Sequence, residues 1–248
     1  MAKTNEYGIG QYTFPRGWFM VGESAEATNK PSSLRYFGRD LIMYRGTSGR
    51  VVIMDAYCPH MKTHLAKNDT SYVVLDGKQV EGDDIRCPYH AWTYSNRGDL
   101  IGVYGEDSFG GVDRAAMGLT TLYCAERAGV VFACLTPGKS FDIDSWLGEF
   151  ADKLADQKLA DWHLYTERWL PGAGWKATLD GYLEVYHHDS VHGKTVGPYT
   201  VGNLLVHDTW GAHQRMVIAK KNISELNDIE VDSWESPESY IRVVHSVF

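Results

Sequence analysis

Short apolar runs separated by turn signals fill the first half of the chain. Residues 18–22, 34–37, 41–44, 50–56, 84–87, 91–94 and 130–135 each have strand length, and Gly38-Arg39-Asp40, Ser48-Gly49 and Asn96-Arg97-Gly98-Asp99 fall between them. Runs punctuated in this way predict an antiparallel β domain, either sandwich or barrel. Thr136-Pro137-Gly138 interrupts the pattern, and the period then changes. Trp146, Leu147, Phe150 and Leu154 recur near the helical repeat, with Asp144 placed to cap them. After Gly174, Trp175, Leu179, Tyr182, Leu183 and Tyr186 recur at three- and four-residue steps and predict a second helix. Strand-like runs return at 214–220 and 240–248. The expected organisation is an α+β chain with an all-β domain over 1–137 and a mixed domain over 138–248.

The chain has 248 residues, enough for two modest domains with cores of their own. A net charge of −8 argues against a nucleic-acid partner, which calls for a basic patch or stripe. No run approaches the ~18 apolar residues that cross a bilayer. Residues 1–15 are polar, with no apolar core of a secretory signal. A cytoplasmic location, with no membrane association, is the expectation. Four cysteines are present. Cys124 and Cys134 sit in a strand-like run over 122–135 and read as small buried hydrophobes. Cys58 and Cys87 differ, because each stands beside a proline and a histidine.

Those two cysteines open the motifs Cys58-Pro59-His60 and Cys87-Pro88-Tyr89-His90. Each motif is a short loop after a predicted strand and supplies one thiolate and one imidazole. A Rieske [2Fe–2S] centre needs this donor set, two thiolates on one iron and two histidines on the other, and the imidazoles raise its potential above that of an all-cysteine cluster. Zinc also accepts two cysteines and two histidines, but its motifs pair Cys-x₂₋₄-Cys with His-x₃₋₅-His, whereas each motif here mixes the types. His64, four residues past His60, reads as a polar neighbour of the loop. The stretch 68–83 reads as an inserted hairpin.

A second group of ligand types lies between Trp175 and His192. Asp180, Glu184 and His187 stand at i, i+4 and i+7, so one continuous helix would put them on one face. His192 lies five residues past His187, about 140° around an ideal helix, so both can serve one metal only if the helix breaks between them. His-x₄-His with a distant carboxylate fits the facial triad of non-haem Fe(II).

The two cluster motifs followed by Asp180-x₃-Glu184-x₂-His187-x₄-His192 resemble the α (catalytic) subunit of Rieske non-haem iron oxygenases of the aromatic-ring-hydroxylating type. The resemblance implies a [2Fe–2S] cluster on Cys58, His60, Cys87 and His90, and a mononuclear Fe(II) on His187 and His192. It implies a helix-grip (Bet v 1-like) catalytic domain after the β domain, with the third, carboxylate, iron ligand supplied from later in that domain. This chain ends 56 residues after His192 in a strand-like run, so the catalytic domain is expected to be incomplete. Glu184 matches the acidic bridge between the cluster of one subunit and the iron of its neighbour in a homotrimer or α3β3 assembly. Asp180 stands where the family often has asparagine. The implied activity is hydroxylation, cis-dihydroxylation or demethylation of a hydrophobic aromatic, polycyclic or steroid-like substrate with O₂. Electrons would come from an NAD(P)H-dependent reductase, directly or through a ferredoxin. The alternative is a Rieske electron-transfer protein without oxygenase activity. Tyr182, Asn203, Leu204 and Val206 are candidate pocket residues by their nearness to the ligands.

Overall fold

The computed structural model describes residues 17–36, 38–67, 79–108, 110–135, 141–168, 170–234 and 239–247. The chain forms two compact units, Met1–Trp146 with Ala151–Trp162, and Leu147–Phe150 with His163–Phe248. The expected boundary at 137 and most of the expected 68–83 hairpin fall outside the described residues. No helix among the described residues is long and apolar enough to cross a membrane.

The first unit is built on β1 (Trp18–Glu23), β2 (Ser32–Tyr36), β3 (Arg39–Arg45), β4 (Val51–Asp55), β5 (Val80–Glu81), β6 (Asp84–Arg86), β7 (Thr93–Tyr94), β8 (Leu100–Gly102), β9 (Thr121–Arg127) and β10 (Val130–Cys134). Six of them make an antiparallel sheet in the order β1-β10-β9-β4-β3-β2, and a smaller sheet runs β5-β6-β7-β8. The central strands β3 and β4 are apolar at successive positions because both faces are covered. Leu41, Met43 and Ile53 pack with Val21, Val131 and Ala133 on one face. Ile42, Tyr44, Val52 and Met54 pack on the other with Ile85, Trp92 and Tyr94 of the smaller sheet and its loops. Each fully buried large side chain contributes about 1.5–3 kcal/mol, so the two layers anchor both sides of the strand pair.

Residues 122–135, expected as one run, form two strands. Ala128 (φ 53°) and Gly129 (φ 82°) adopt the left-handed turn that joins β9 to β10, with Arg127 opposite Val130. A Cβ on Gly129 would lie 2.5 Å from the Ala160 nitrogen, so only glycine fits there. Cys134 is buried, as expected of a small hydrophobe, and Cys124 is partly buried with its thiol donating to the Val51 carbonyl at 3.0 Å.

The single helix expected around Trp146 is also two pieces, α1 (Ile143–Leu147) and α2 (Phe150–Ala155). Gly148, at φ 52°, breaks it. The cap is Asp142, which accepts the Ser145 N–H at 2.6 Å, while Asp144 instead forms a paired contact with Arg127 at 2.5 and 2.6 Å.

The second unit holds α3 (Trp175–Tyr182), α4 (His188–Val191) and an antiparallel sheet, β11 (Thr200–Trp210), β12 (His213–Lys220) and β13 (Ile241–Ser246), in that order. β11 was not expected from the pattern, because Gly202, Asn203 and Asp208 interrupt its alternation and its register with β12 shifts between Thr200 and Leu205. Met216 stands opposite Val244 and Ile218 opposite Arg242, so these four side chains share one sheet face. Val185, from the segment between α3 and α4, is buried against Met216 and Ile218. Mixed α and β structure with an N-terminal β domain is the fold class that the sequence predicts.

Candidate metal centres

Strand β4 leads into the first cluster loop and β6 into the second. The two loops repeat one backbone design. Cys58 N–H donates to the Thr63 carbonyl, and Lys62 N–H returns to the Cys58 carbonyl, both at 2.9 Å. Cys87 N–H donates to the Trp92 carbonyl at 2.7 Å, and Ala91 N–H returns to the Cys87 carbonyl at 3.0 Å. Lys62 and Ala91, at equivalent places, both sit at φ 58°. The histidine comes two residues after the cysteine in one loop and three in the other, and this is the only difference in ligand spacing between the halves.

The loops bring the cysteines together, 1% and 2% exposed, in direct side-chain hydrogen-bond contact. That contact with Cys87, supported by the Tyr94 hydroxyl and the amides of His60 and Met61, pulls the Cys58 thiol down to about 6 against the opposing effect of burial. The same pairing, then burial, pushes Cys87 up, while the amides of Tyr89 and His90 favour its ionised form. Tyr94 Oη lies 3.0 Å from Cys58 Sγ, and burial keeps its hydroxyl protonated. Amide donors at both sulfurs suit thiolates, and each loop supplies its own.

The imidazoles stand further out, partly exposed, with ring centroids 4.8 Å apart. His60 stacks on Trp92 at 4.4 Å and 4°, and His90 lies against exposed Tyr89 at 3.7 Å. The ligands thus pair by type, as a two-iron centre requires with two protein ligands on each iron. A tetrahedral zinc would draw all four to one point, and among the described residues no group of three or more His, Cys, Asp and Glu converges in that way. His64 is outside the set. Its Nδ1 accepts the Ala66 amide at 3.1 Å, its Nε2 meets Ser33 Oγ at 3.4 Å, and burial and then Lys67 push its pKa down.

The second group departs from the expected single helical face. Helix α3 stops at Tyr182, with Leu183 at φ −97° and ψ 0°, so Asp180 alone of the four residues is helical there. Glu184 lies beyond the helix and turns its carboxylate onto His187, accepting the backbone N–H at 3.2 Å and meeting Nδ1. This contact, first of all, holds the Glu184 carboxyl below its usual range. The break precedes His187, where one between the two histidines was expected. Hydrogen bonds from Val191 and His192 back to His187 and His188 close a short helical turn, and the His187 and His192 rings come to 5.2 Å between centroids.

Glu184, His187 and His192 line a cavity of about 610 Å³, closed on its other side by Met216, Ile218 and β13. Tyr182 lines it as expected, but Asn203, Leu204 and Val206 do not, and Asp180 lies outside it. Leu204 and Val206 are exposed on β11. The sequence reading missed His188, which also lines the cavity, stands 5.1 Å from His187, and meets Thr200 Oγ1 at 3.3 Å. The His187-His188 doublet was the available signal. Two imidazoles facing an open cavity fit two positions of a mononuclear iron site.

Residues 17–112 match the family described as the Rieske [2Fe-2S] domain. A 3-ketosteroid-9-alpha-monooxygenase oxygenase component of Rhodococcus rhodochrous is 26% identical over 75% of this chain and 45% of that protein. The carnitine monooxygenase oxygenase subunit of Acinetobacter pittii is 28% identical over 72% and 47%. Among solved structures, the quaternary ammonium Rieske monooxygenase CntA bound to an inhibitor shares the fold, with a TM-score of 0.66 at 22% identity over 84% of this chain and 56% of that chain. The chain spans about half the length of the curated relatives it matches. A [2Fe–2S] cluster is the cofactor that this N-terminal domain indicates.

Proposed function

We propose that this chain, a relative of Rieske non-haem iron oxygenase α subunits that carries their [2Fe–2S] domain, serves as an oxygenase component. The observation that carries the reading is the pair of imidazoles, His187 and His192, facing one cavity in a chain that also holds a Cys₂His₂ cluster cradle. When bound, the cluster supplies electrons and a mononuclear non-haem iron supplies O₂ activation, the two cofactors of this family.

The chain's own residues prepare both sites. Cys58 and Cys87 would hold one iron of the cluster as amide-bonded thiolates, and His60 and His90 the other. Glu184 meets His187 Nδ1, and in the tautomer that donates there Nε2 would carry no proton and could face a metal. His192 would be the second nitrogen ligand. Met216, Ile218 and Val244 give the cavity an apolar wall that suits a hydrophobic body. The product would be a hydroxylated, cis-dihydroxylated or demethylated compound. An NAD(P)H-dependent reductase, with or without a ferredoxin, would feed His60 and His90, whose rings are the partly exposed side of the cluster cradle. In a trimer, Glu184 would also link these histidines to a neighbour's iron.

Iron counting tests this reading. The full chain should carry a third iron beyond the two that accompany sulfide, removable by a chelator while the reduced protein keeps its Rieske EPR signal. Two irons per chain and no more, under conditions that preserve the cluster, would leave the electron-transfer alternative in its place.

Tyr94→Phe tests the cluster cradle separately. Loss of a hydroxyl 3.0 Å from Cys58 Sγ removes a donor that favours the more negative, reduced cluster. Voltammetry should find the reduction potential lowered by on the order of 50 mV, with the visible spectrum retained. An unchanged potential would mean that the hydroxyl does not donate to the sulfur.

A further inference from the structure

We infer that the buried Thr200 hydroxyl, acting through His188, sets the interval between the two iron histidines. The inference rests on the oxygenase reading for the metal held there, and it adds a positioning pair, His188 and Thr200, that lies outside the ligands themselves.

His187 and His192 stand five residues apart and are joined by α4, a single turn of four residues. So short a helix is not stable by itself, because nucleation fixes several residues for one hydrogen bond. The interval therefore depends on a tie from outside the turn, and β11 supplies it. Thr200, the first residue of β11, is 0% exposed. Its hydroxyl meets the Val196 carbonyl at 3.2 Å and His188 Nδ1 at 3.3 Å. A carbonyl can only accept, so the one hydroxyl proton goes to Val196, and the second bond then requires Nδ1 to donate.

Each end of that chain of bonds reaches one ligand. His188 follows His187 directly. Val196 belongs to the turn that hangs from His192, whose carbonyl accepts the amides of Thr195, Val196 and Gly197 at 2.9, 3.1 and 2.9 Å. The hydroxyl thus joins the residue beside one ligand to the turn behind the other. Close packing presses the same pieces together. A Cβ on Gly197 would lie 3.0 Å from the His188 carbonyl and 3.2 Å from that of His192, and one on Gly202 would lie 2.6 Å from Asp189 Oδ2. The His188 ring also lines the cavity, with its centroid 5.1 Å from that of His187 and 6.0 Å from that of His192. Among the described residues no three such side chains converge on one point, so His188 is a positioning residue and not a third ligand.

A buried hydroxyl at the start of a strand can also serve stability alone, by satisfying the polar groups around it. The two roles separate at the metal. The full chain, with its cluster intact and its mononuclear site emptied by chelator, is titrated with Fe(II) under argon. The refilled site is then probed with nitric oxide, whose EPR signal on high-spin Fe(II) reports the arrangement of the ligands. Thr200→Val keeps the shape and removes the hydroxyl. It should weaken Fe(II) binding about 10-fold, as loss of an outer partner of a ligand does, and change the nitrosyl signal. Thr200→Ser, which keeps the hydroxyl, should restore both. His188→Asn, whose amide N–H stands near the place of Nδ1, should hold Fe(II) more tightly than His188→Leu.

Wild-type affinity and an unchanged signal in folded Thr200→Val would overturn the inference. So would a Thr200→Ser variant that loses as much as Thr200→Val. If Thr200→Val does not fold, the His188 pair decides, and equal Fe(II) affinities in His188→Asn and His188→Leu overturn it. A wild-type chain that takes up no Fe(II) beyond its cluster defeats the oxygenase reading, and this inference with it.

Discussion

Cys58→Ser is expected to yield a colourless chain with neither a Rieske EPR signal nor oxygenase activity. Serine cannot replace the thiolate that the His60 and Met61 amides surround, and the site is 1% exposed, so no water can stand in for the lost ligand bond. Cofactor binding and local folding are coupled in such loops. Cys58 and Cys87 belong to the same buried cluster as Trp92, Tyr94 and Leu65, which the empty loops would no longer press together. The N-terminal unit should lose on the order of 3–5 kcal/mol. Paired visible spectra and thermal melts measure both effects. A variant that kept the Rieske spectrum would remove Cys58 from the ligand set.

Glu184→Gln should also cost at least tenfold in activity, and the way it does so separates two roles. The carboxylate contacts both the backbone N–H and Nδ1 of His187, so its first effect is on the orientation and tautomer of that imidazole. Changing such an outer partner lowers metal affinity by about 10- to 100-fold. In that case iron binds more weakly, and activity returns when iron is raised. If Glu184 also links cluster to iron between subunits, the variant keeps its iron at saturating metal but reduces it slowly in single-turnover mixing. Full activity with normal iron affinity would exclude both roles.

The cluster motif was legible because its chemistry is local. Cysteine, proline and histidine lie within four residues of one another in each loop, and the order of donors already separates a two-iron centre from zinc. The central strands were legible for a related reason, since a run such as Leu41-Ile42-Met43-Tyr44 has no polar face to put toward water. The second site was less so. Apolar residues continue at helical spacing past Tyr182 to Tyr186, but Tyr186 is 87% exposed, and the competition that ends the helix is a single carboxylate binding back to His187. Periodicity carries no record of that. Asn203, Leu204 and Val206 were drawn in by nearness in sequence, whereas the real wall comes from Met216, Ile218, Arg242 and Val244, which meet only through strand register. Asp180 shared a spacing with Glu184 and His187 but not a helix. The two-strand reading of 122–135 needed Ala128 to accept a positive φ, which an alanine does not advertise.

Because β3 and β4 bury both of their faces, loss of the cluster strips only one of them. The face closed by Val21, Val131 and Ala133 contains no cluster ligand and no residue of either cluster loop, so it owes nothing to iron or sulfide. An oxidant that bleaches the centre would therefore leave the six-stranded sheet standing as a template, with Cys58 still carried just past β4, against which the smaller sheet that leads into Cys87 can pack again. Damage would be local and repairable: the chain could be refilled in place, without first being taken apart.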